Sequence, residues 1–187
     1  MRGFRFSILF VIFASNFVIH KEVGAYCPAG KSMMDERFQW FAREVEMPAL
    51  DFQLLREWIS AVAASHGRIV GALSYVFCND EHILEVNRKF LDHDYYTDII
   101  TFDDCRGKLL RGDMFISLDT VRTNALKVGA TYRAELLRVI IHGVLHLCGI
   151  NDKGPGEREV MEANEDRALA MLASMAKDSD TGASGAL

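Results

Sequence analysis

The stretch from Thr131 to Cys148 places the strongest constraint on how this chain can fold. Leu136, Leu137, Ile140, Ile141, Val144, Leu145 and Leu147 recur at helical spacing and cover most of the circumference. The segment is therefore expected as a helix buried on nearly every side, with the rest of the chain arranged around it. Two polar side chains interrupt that surface. His142 and His146 stand four residues apart, slightly more than one helical turn, and so point the same way. Either histidine alone reads as a packed, hydrogen-bonded core residue. Two imidazoles buried on adjacent turns leave ring nitrogens in need of partners, and one shared metal ion satisfies both. Gly149 supplies the helix stop, because glycine adopts the left-handed conformation most easily, and the turn after it can fold Asp152 back towards the pair. Two nitrogens and one carboxylate oxygen make three protein ligands. That set suits one Zn²⁺ per chain and leaves a fourth position open to water, although other divalent ions accept the same donors.

The remaining elements follow from periodicity and punctuation. Phe38 to Val45 reads as a first strand, and Leu50, Leu54, Leu55, Trp58, Ile59 and Val62 give Ala49 to Ser65 the spacing of an amphipathic helix ended by Gly67. Val70 to Cys78 reads as a strand, and Asn79 with Asp80 caps a helix carrying Ile83, Leu84, Val86 and Asn87. Ile99 to Phe102 and Asp113 to Ser117 are β-prone runs joined across Cys105-Arg106-Gly107-Lys108. Ser117 or Asp119 starts a helix through Lys127, the histidine helix follows Gly129, and a last helix runs from about Pro155 to Ala176. Strands alternating with helices and then consecutive helices predict an α/β (α+β) domain. Its core is a small mixed four-stranded sheet packed with helices, with the metal-binding helix near the C-terminus. Residues 34–177 are assigned to this single domain, and the Gly-, Ser- and Ala-rich residues 178–187 to a disordered tail.

Three sequence blocks carry a family resemblance. His142-Gly143-Val144-Leu145-His146-Leu147-Cys148-Gly149 matches the start of the pattern His-Gly-x-Leu-His-Leu-x-Gly-Tyr-Asp-His. The block from Asn87 to Phe102 is similar to Asn-x-x-Tyr-Arg-x-x-Asp-x-Pro-Thr-Asp-Val-Leu-Ser-Phe, and Gly112 to Ser117 looks like the Gly-Asp-Ile strand that follows it. Together they resemble the YbeY family of rRNA maturation factors, also described as single-strand-specific metallo-endoribonucleases, over roughly Phe38 to Leu172. The departures that bear on the site are four: Ile150 stands for Tyr, Asn151 for Asp, Asp152 for the third metal-binding His, and Leu91 for an Arg held to face the substrate. Carboxylate oxygen is an ordinary zinc ligand, so Asp152 keeps the donor count. Arg88 and Lys89 are the neighbouring cations and stand as RNA-contact candidates.

The resemblance implies a zinc-dependent endoribonuclease of the cytoplasm, acting on single-stranded RNA in 16S rRNA 3'-end maturation and ribosome quality control. Its partners would be the 16S precursor and the small ribosomal subunit. No side chain beyond the ligands is assigned to catalysis, since the nucleophile would be water activated by the metal. Two other readings stay open. In the first, the metal is mainly structural and the protein works as a ribosome-associated processing factor. In the second it is a zinc peptidase, which Gly143 disfavours because zincins place their Glu directly after the first His.

Charge bears on the RNA reading. The chain carries −5, and residues 1–26 hold three basic side chains and one acidic one, so the remainder stands at −7. Any RNA contact must therefore be local. Arg88, Lys89, Arg106, Lys108, Arg111, Arg122, Lys127, Arg133 and Arg138 precede or flank the histidines, whereas Glu157, Glu159, Glu162, Glu165 and Asp166 follow. That polarity fits a basic groove or ordinary solvated charge equally well. Tyr95 and Tyr96 read as rim packing before a strand rather than as base-stacking platforms. Cys27, Cys78, Cys105 and Cys148 show no closely spaced pair and read as free structural thiols. Arg2 and Arg5 ahead of the apolar run Phe6 to Ile19 form a signal-like leader with a cleavage point after Ala25, too short for a membrane span. Against the cytoplasmic resemblance, the preferred account is a mis-assigned upstream start with the true one near Met33. Residues 1–33 are expected outside the fold, and no membrane association is expected of the folded domain.

Overall fold

The computed structural model describes residues 12–13, 37–91 and 93–183, and the backbone alone at 12–13, 91 and 178–183. Its elements are β1 Ile12–Phe13, β2 Phe38–Arg43, α1 Phe52–Ser65, β3 Ile69–Cys78, α2 Asp80–Leu91, β4 Ile99–Asp103, β5 Leu109–Ser117, α3 Leu118–Val128, α4 Tyr132–Leu147 and α5 Glu157–Ala183. Strands β2, β3 and β5 run parallel, and β4 returns antiparallel to β5. These four form the mixed sheet of the α+β reading. The two-residue β1 pairs parallel with β4 at Phe102 and Asp103, giving the order β1-β4-β5-β3-β2. The rest of the leader, with Ala25, Cys27 and Met33, lies outside the described residues, as do residues 184–187.

Alternation along the strands separates two apolar layers. Tyr75 and Phe77 of β3, with Met114 and Ile116 of β5, face the larger core built with α1, α4 and α5. Val76, Cys78, Ile100, Phe102 and Phe115 face the other way, under Ile83 and Val86 of α2. Helix α4 is the centre of the larger core. Every residue from Glu135 to Leu147 except Arg138 is buried, and the helix packs on α1, α3, α5, β4 and β5. Its fit against the sheet depends on Gly143, where an added Cβ would lie 2.8 Å from Ile99 Cδ1 and 2.9 Å from Met114 Sδ. The small residue lets the helix approach the sheet closely.

The largest departures from the expected boundaries are three, each with a local cause. Helix α1 begins at Phe52 instead of Ala49 because the Asp51 carboxylate accepts from the amides of Gln53 and Leu54 at 3.1 and 3.0 Å, fixing the N-cap there. Strand β5 begins at Leu109, four residues before the expected Asp113, because its parallel ladder with β3 starts at the Ile69–Leu109 pair, whereas the antiparallel ladder with β4 reaches only Gly112. Helix α5 continues past Ala176 to Ala183, since Asp178, Ser179, Asp180 and Thr181 carry no helix breaker and the first glycine is Gly182. Asn79 does cap α2, its Oδ1 accepting from the His82 amide at 2.9 Å. Cys78, Cys105 and Cys148 are free thiols.

Candidate metal centre

Helix α4 ends in a Schellman motif. The Gly149 amide donates to the carbonyl of His146 at 2.8 Å and the Ile150 amide to that of Leu145 at 3.1 Å, with Gly149 at φ +97°. The glycine stop thus does what the sequence required of it and turns the chain back along the helix. The Ile150 carbonyl comes to lie 2.7 Å from His146 Nδ1, and Asp152 comes to lie beside both histidines.

The three ligand atoms face one another. His142 Nε2 and His146 Nε2 are 2.7 Å apart, and Asp152 Oδ2 is 3.6 and 3.9 Å from them. All three side chains are nearly inaccessible to water. In a tetrahedral site with bonds of about 2.0–2.1 Å, ligand atoms stand roughly 3.3 Å apart, a separation that the three observed edges bracket.

The proton positions decide whether a cation belongs there. His142 Nδ1 lies 2.7 Å from Glu165 Oε1 and His146 Nδ1 lies 2.7 Å from the Ile150 carbonyl. A carboxylate and a carbonyl only accept, so each Nδ1 carries the hydrogen and each neutral ring turns the lone pair of Nε2 towards its neighbour. Two facing lone pairs at that distance repel unless a proton or a metal ion sits with them. Asp152 Oδ1, buried and without a hydrogen-bond partner among the described residues, adds a third unsatisfied acceptor. The donor set therefore fits a divalent cation, and His142, His146 and Asp152 are the group that could hold it.

The protonation tendencies have the same origin. Burial, then the neighbouring His142 charge, pushes His146 down to about 2. Burial also opposes charge on His142, but the hydrogen bond and charge of Glu165, with Asp98 and Asp152, outweigh it and hold that ring above its ordinary value. Asp152 is raised by burial, against the pull of His142 and Lys153. A cation supplied at this point serves all three groups.

Glu165 was not singled out by sequence reasoning. Its Oε2 accepts from Arg138 Nη1 at 2.9 Å while its Oε1 accepts from His142, so α5 buttresses one ligand through a carboxylate. Burial pushes Glu165 up, yet the His142 hydrogen bond and Arg138 bring it below its ordinary value. A signal was present in the sequence: Met161, Glu165, Ala168 and Leu172 share one helical stripe, and all four are buried. A carboxylate in phase with a buried apolar stripe marks a partnered charge. Replacing Glu165 with Gln keeps the shape but removes the charge, and is expected to weaken binding of a divalent metal ion about 10- to 100-fold. Competition against a chromophoric chelator measures this, and a change below about threefold would remove Glu165 from the centre.

The two RNA-contact candidates lie apart from these groups. Arg88 and Lys89 sit in the last turn of α2. Arg88 pairs with Asp94 through Nε at 2.7 Å and Nη2 at 2.6 Å, and Lys89 Nζ lies over the Phe90 ring. Neither lines the cavity of about 70 Å³ that opens beside His142 and Asp152, which is walled by Asp98, Glu135, Glu162 and Glu165 together with Arg138 and Arg158. Arg106, Arg111 and Arg122 also pair with nearby carboxylates, a pattern of dispersed charge and not of a continuous basic groove. Tyr95 stacks on His93, while Tyr96 is exposed.

Comparison with known proteins gives one consistent result. Residues 42–173 match a family model described as Endoribonuclease YbeY. A relative from Bacteroides thetaiotaomicron, named Endoribonuclease YbeY, is 65% identical over 127 residues, covering 68% of this chain and 93% of the relative. One from Parabacteroides distasonis with the same name is 60% identical over 133 residues, covering 71% of this chain and 94% of the relative. A solution structure from Thermotoga maritima superposes with a TM-score of 0.51 at 23% identity, covering 73% of this chain and 92% of that one, a likeness of fold.

Proposed function

The chain belongs to the endoribonuclease YbeY family, and from that membership we propose that it hydrolyses single-stranded RNA at the His142, His146 and Asp152 centre with zinc as its ion. Nuclease activity accords with the relatives' shared name. The observation that carries the metal part is the pair of facing Nε2 atoms beside an unsatisfied buried carboxylate oxygen.

When bound by those three side chains, Zn²⁺ would supply Lewis acidity towards a phosphate and a lowered pKa for water at its open position. The protein's own contribution is orientation. Glu165 and the Ile150 carbonyl fix both imidazoles with Nδ1 protonated and Nε2 turned inward. Arg138 holds Glu165 in place through one guanidinium nitrogen and Asp166 through the other. Gly143 carries no carboxylate where a zincin carries its catalytic Glu, which favours phosphodiester over peptide hydrolysis.

The substrate is proposed to be an rRNA precursor, with 16S 3'-end maturation and ribosome quality control as the setting, the small subunit as partner and the cytoplasm as the place. The support for these is the resemblance of the three sequence blocks. No helix among the described residues is long and apolar enough to cross a membrane.

The test uses protein purified without chelator, assayed for metal by mass spectrometry and for cleavage of matched single- and double-stranded RNA. About one zinc per chain is expected, with cleavage of the single strand only, lost on chelation and restored by Zn²⁺. Cleavage that persists in metal-free protein would sink the reading. Metal-free protein that unfolds, paired with a holoprotein that never cleaves, would instead favour a structural ion.

A further inference from the structure

An RNA strand brings one negative charge per phosphate to a cavity walled by the carboxylates of Asp98, Glu135, Asp152, Glu162 and Glu165. On a chain of net charge −5, that polyanion can seat beside the metal ligands only where a cation has donors to spare. Two arginines line the cavity, and they differ in this respect.

Arg138 is committed. Its Nη1 donates to Glu165 Oε2 at 2.9 Å and its Nη2 lies 2.8 Å from Asp166 Oδ1, so both ends of the guanidinium hold α5 in place. Among the described residues Arg158 donates only through Nε, to Glu162 Oε1 at 3.1 Å, leaving Nη1 and Nη2 without a partner there. It lies seven residues before Glu165 on α5, on the same face of the helix, and its side chain is 40% exposed. Elsewhere the supply is poor: position 91 is Leu, and Arg88 is held at two nitrogens by Asp94.

We propose that Arg158 is the phosphate-binding residue of this site, its two terminal guanidinium nitrogens engaging non-bridging oxygens of the RNA strand next to the metal centre while Glu162 aligns the fork through Nε. The proposal rests on the metallo-ribonuclease reading and names the residue that receives its substrate. An arginine suits the task because its planar fork matches two phosphate oxygens at once, which a lysine does not.

The experiment follows kcat and KM for single-stranded RNA cleavage by zinc-loaded full-length protein over a salt series, with wild type, Arg158→Ala and Arg158→Lys. In Arg158→Ala, KM is expected to rise about 10- to 100-fold, the loss of a hydrogen-bonded charge contact. The salt slope of log(kcat/KM) should flatten by about 0.7, one phosphate contact to a single strand. Zinc stoichiometry and the thermal midpoint stay at wild-type values, because the Arg158–Glu162 pair is an exposed helical pair of small worth. Arg158→Lys restores the slope and only part of KM. Wild-type KM and slope in Arg158→Ala, beside an active wild type, would overturn the proposal and leave the nuclease reading intact. A loss confined to kcat with the slope unchanged would also overturn it. A zinc-loaded wild type that does not cleave would remove the nuclease reading and this proposal together.

Discussion

Replacing both His142 and His146 with Ala is expected to reduce bound zinc below a tenth of an equivalent and to lower RNA cleavage by on the order of 10³-fold or more, with the fold retained. Three decades correspond to about 4 kcal/mol of transition-state stabilisation, within what a Lewis acid that also lowers the pKa of its water can supply. Retention of the fold follows from what the two rings do for the metal-free chain. They set two lone pairs face to face at 2.7 Å, so in the absence of an ion their removal relieves repulsion as well as deleting contacts. Glu165 keeps Arg138 as partner after the change, so its buried charge is not left bare. Circular dichroism and urea unfolding check the fold, mass spectrometry the metal and a gel assay the cleavage. Residual cleavage above about 1% of wild type would place the reacting centre elsewhere.

Replacing Trp58 with Ala should produce the largest loss of stability, about 3–5 kcal/mol. Trp58 is wholly buried in the core between α1 and α5, and its indole N–H donates to the carbonyl of Ala168 at 2.7 Å. Truncation opens a cavity of indole size and leaves that carbonyl short of a donor, and both effects destabilise. The consequence extends to the site, because Ala168 lies three residues beyond Glu165 on α5. Loosening the helix there frees the carboxylate that orients His142. Urea titration should show the midpoint falling with an unchanged slope, and zinc affinity should fall alongside. A stability loss below about 1 kcal/mol would mean that α5 is anchored by other contacts.

What the sequence disclosed, and what it withheld, divides along range of interaction. The histidine pair, the glycine stop and the returning Asp152 all lie within eleven consecutive residues, where helix pitch and turn chemistry settle the geometry locally. Helix α4 was legible because a segment apolar on nearly all sides has only one place to go. Glu165 and Arg158 reach the site through the packing of α5 on α4, and no local rule ties residue 142 to residue 165. Helix phase alone hinted at Glu165. The role of Arg158 depended on which cations already had partners: Arg88, a candidate by proximity in sequence, is paired with Asp94, and Arg138 is paired with Glu165 and Asp166. Pairing of this kind is a tertiary property. The start of α1 is the opposite case, since Asp51 ahead of Phe52 is a local cap that outweighed the apolar spacing beginning at Leu50.

The two histidines differ in how their orientation is encoded, and that makes them unequal under mutation. His142 is oriented by the Glu165 side chain, so a single codon change can remove its support. His146 is oriented by the main-chain carbonyl of Ile150, which every amino acid carries. That hydrogen bond makes no demand on the side chain at 150, which packs against the larger core as Ile. The inherited constraint passes instead to Gly149, whose φ of +97° aims that carbonyl. Half of the site's orientation is thus written in backbone shape guarded by one glycine, and half in a side chain that one substitution can erase.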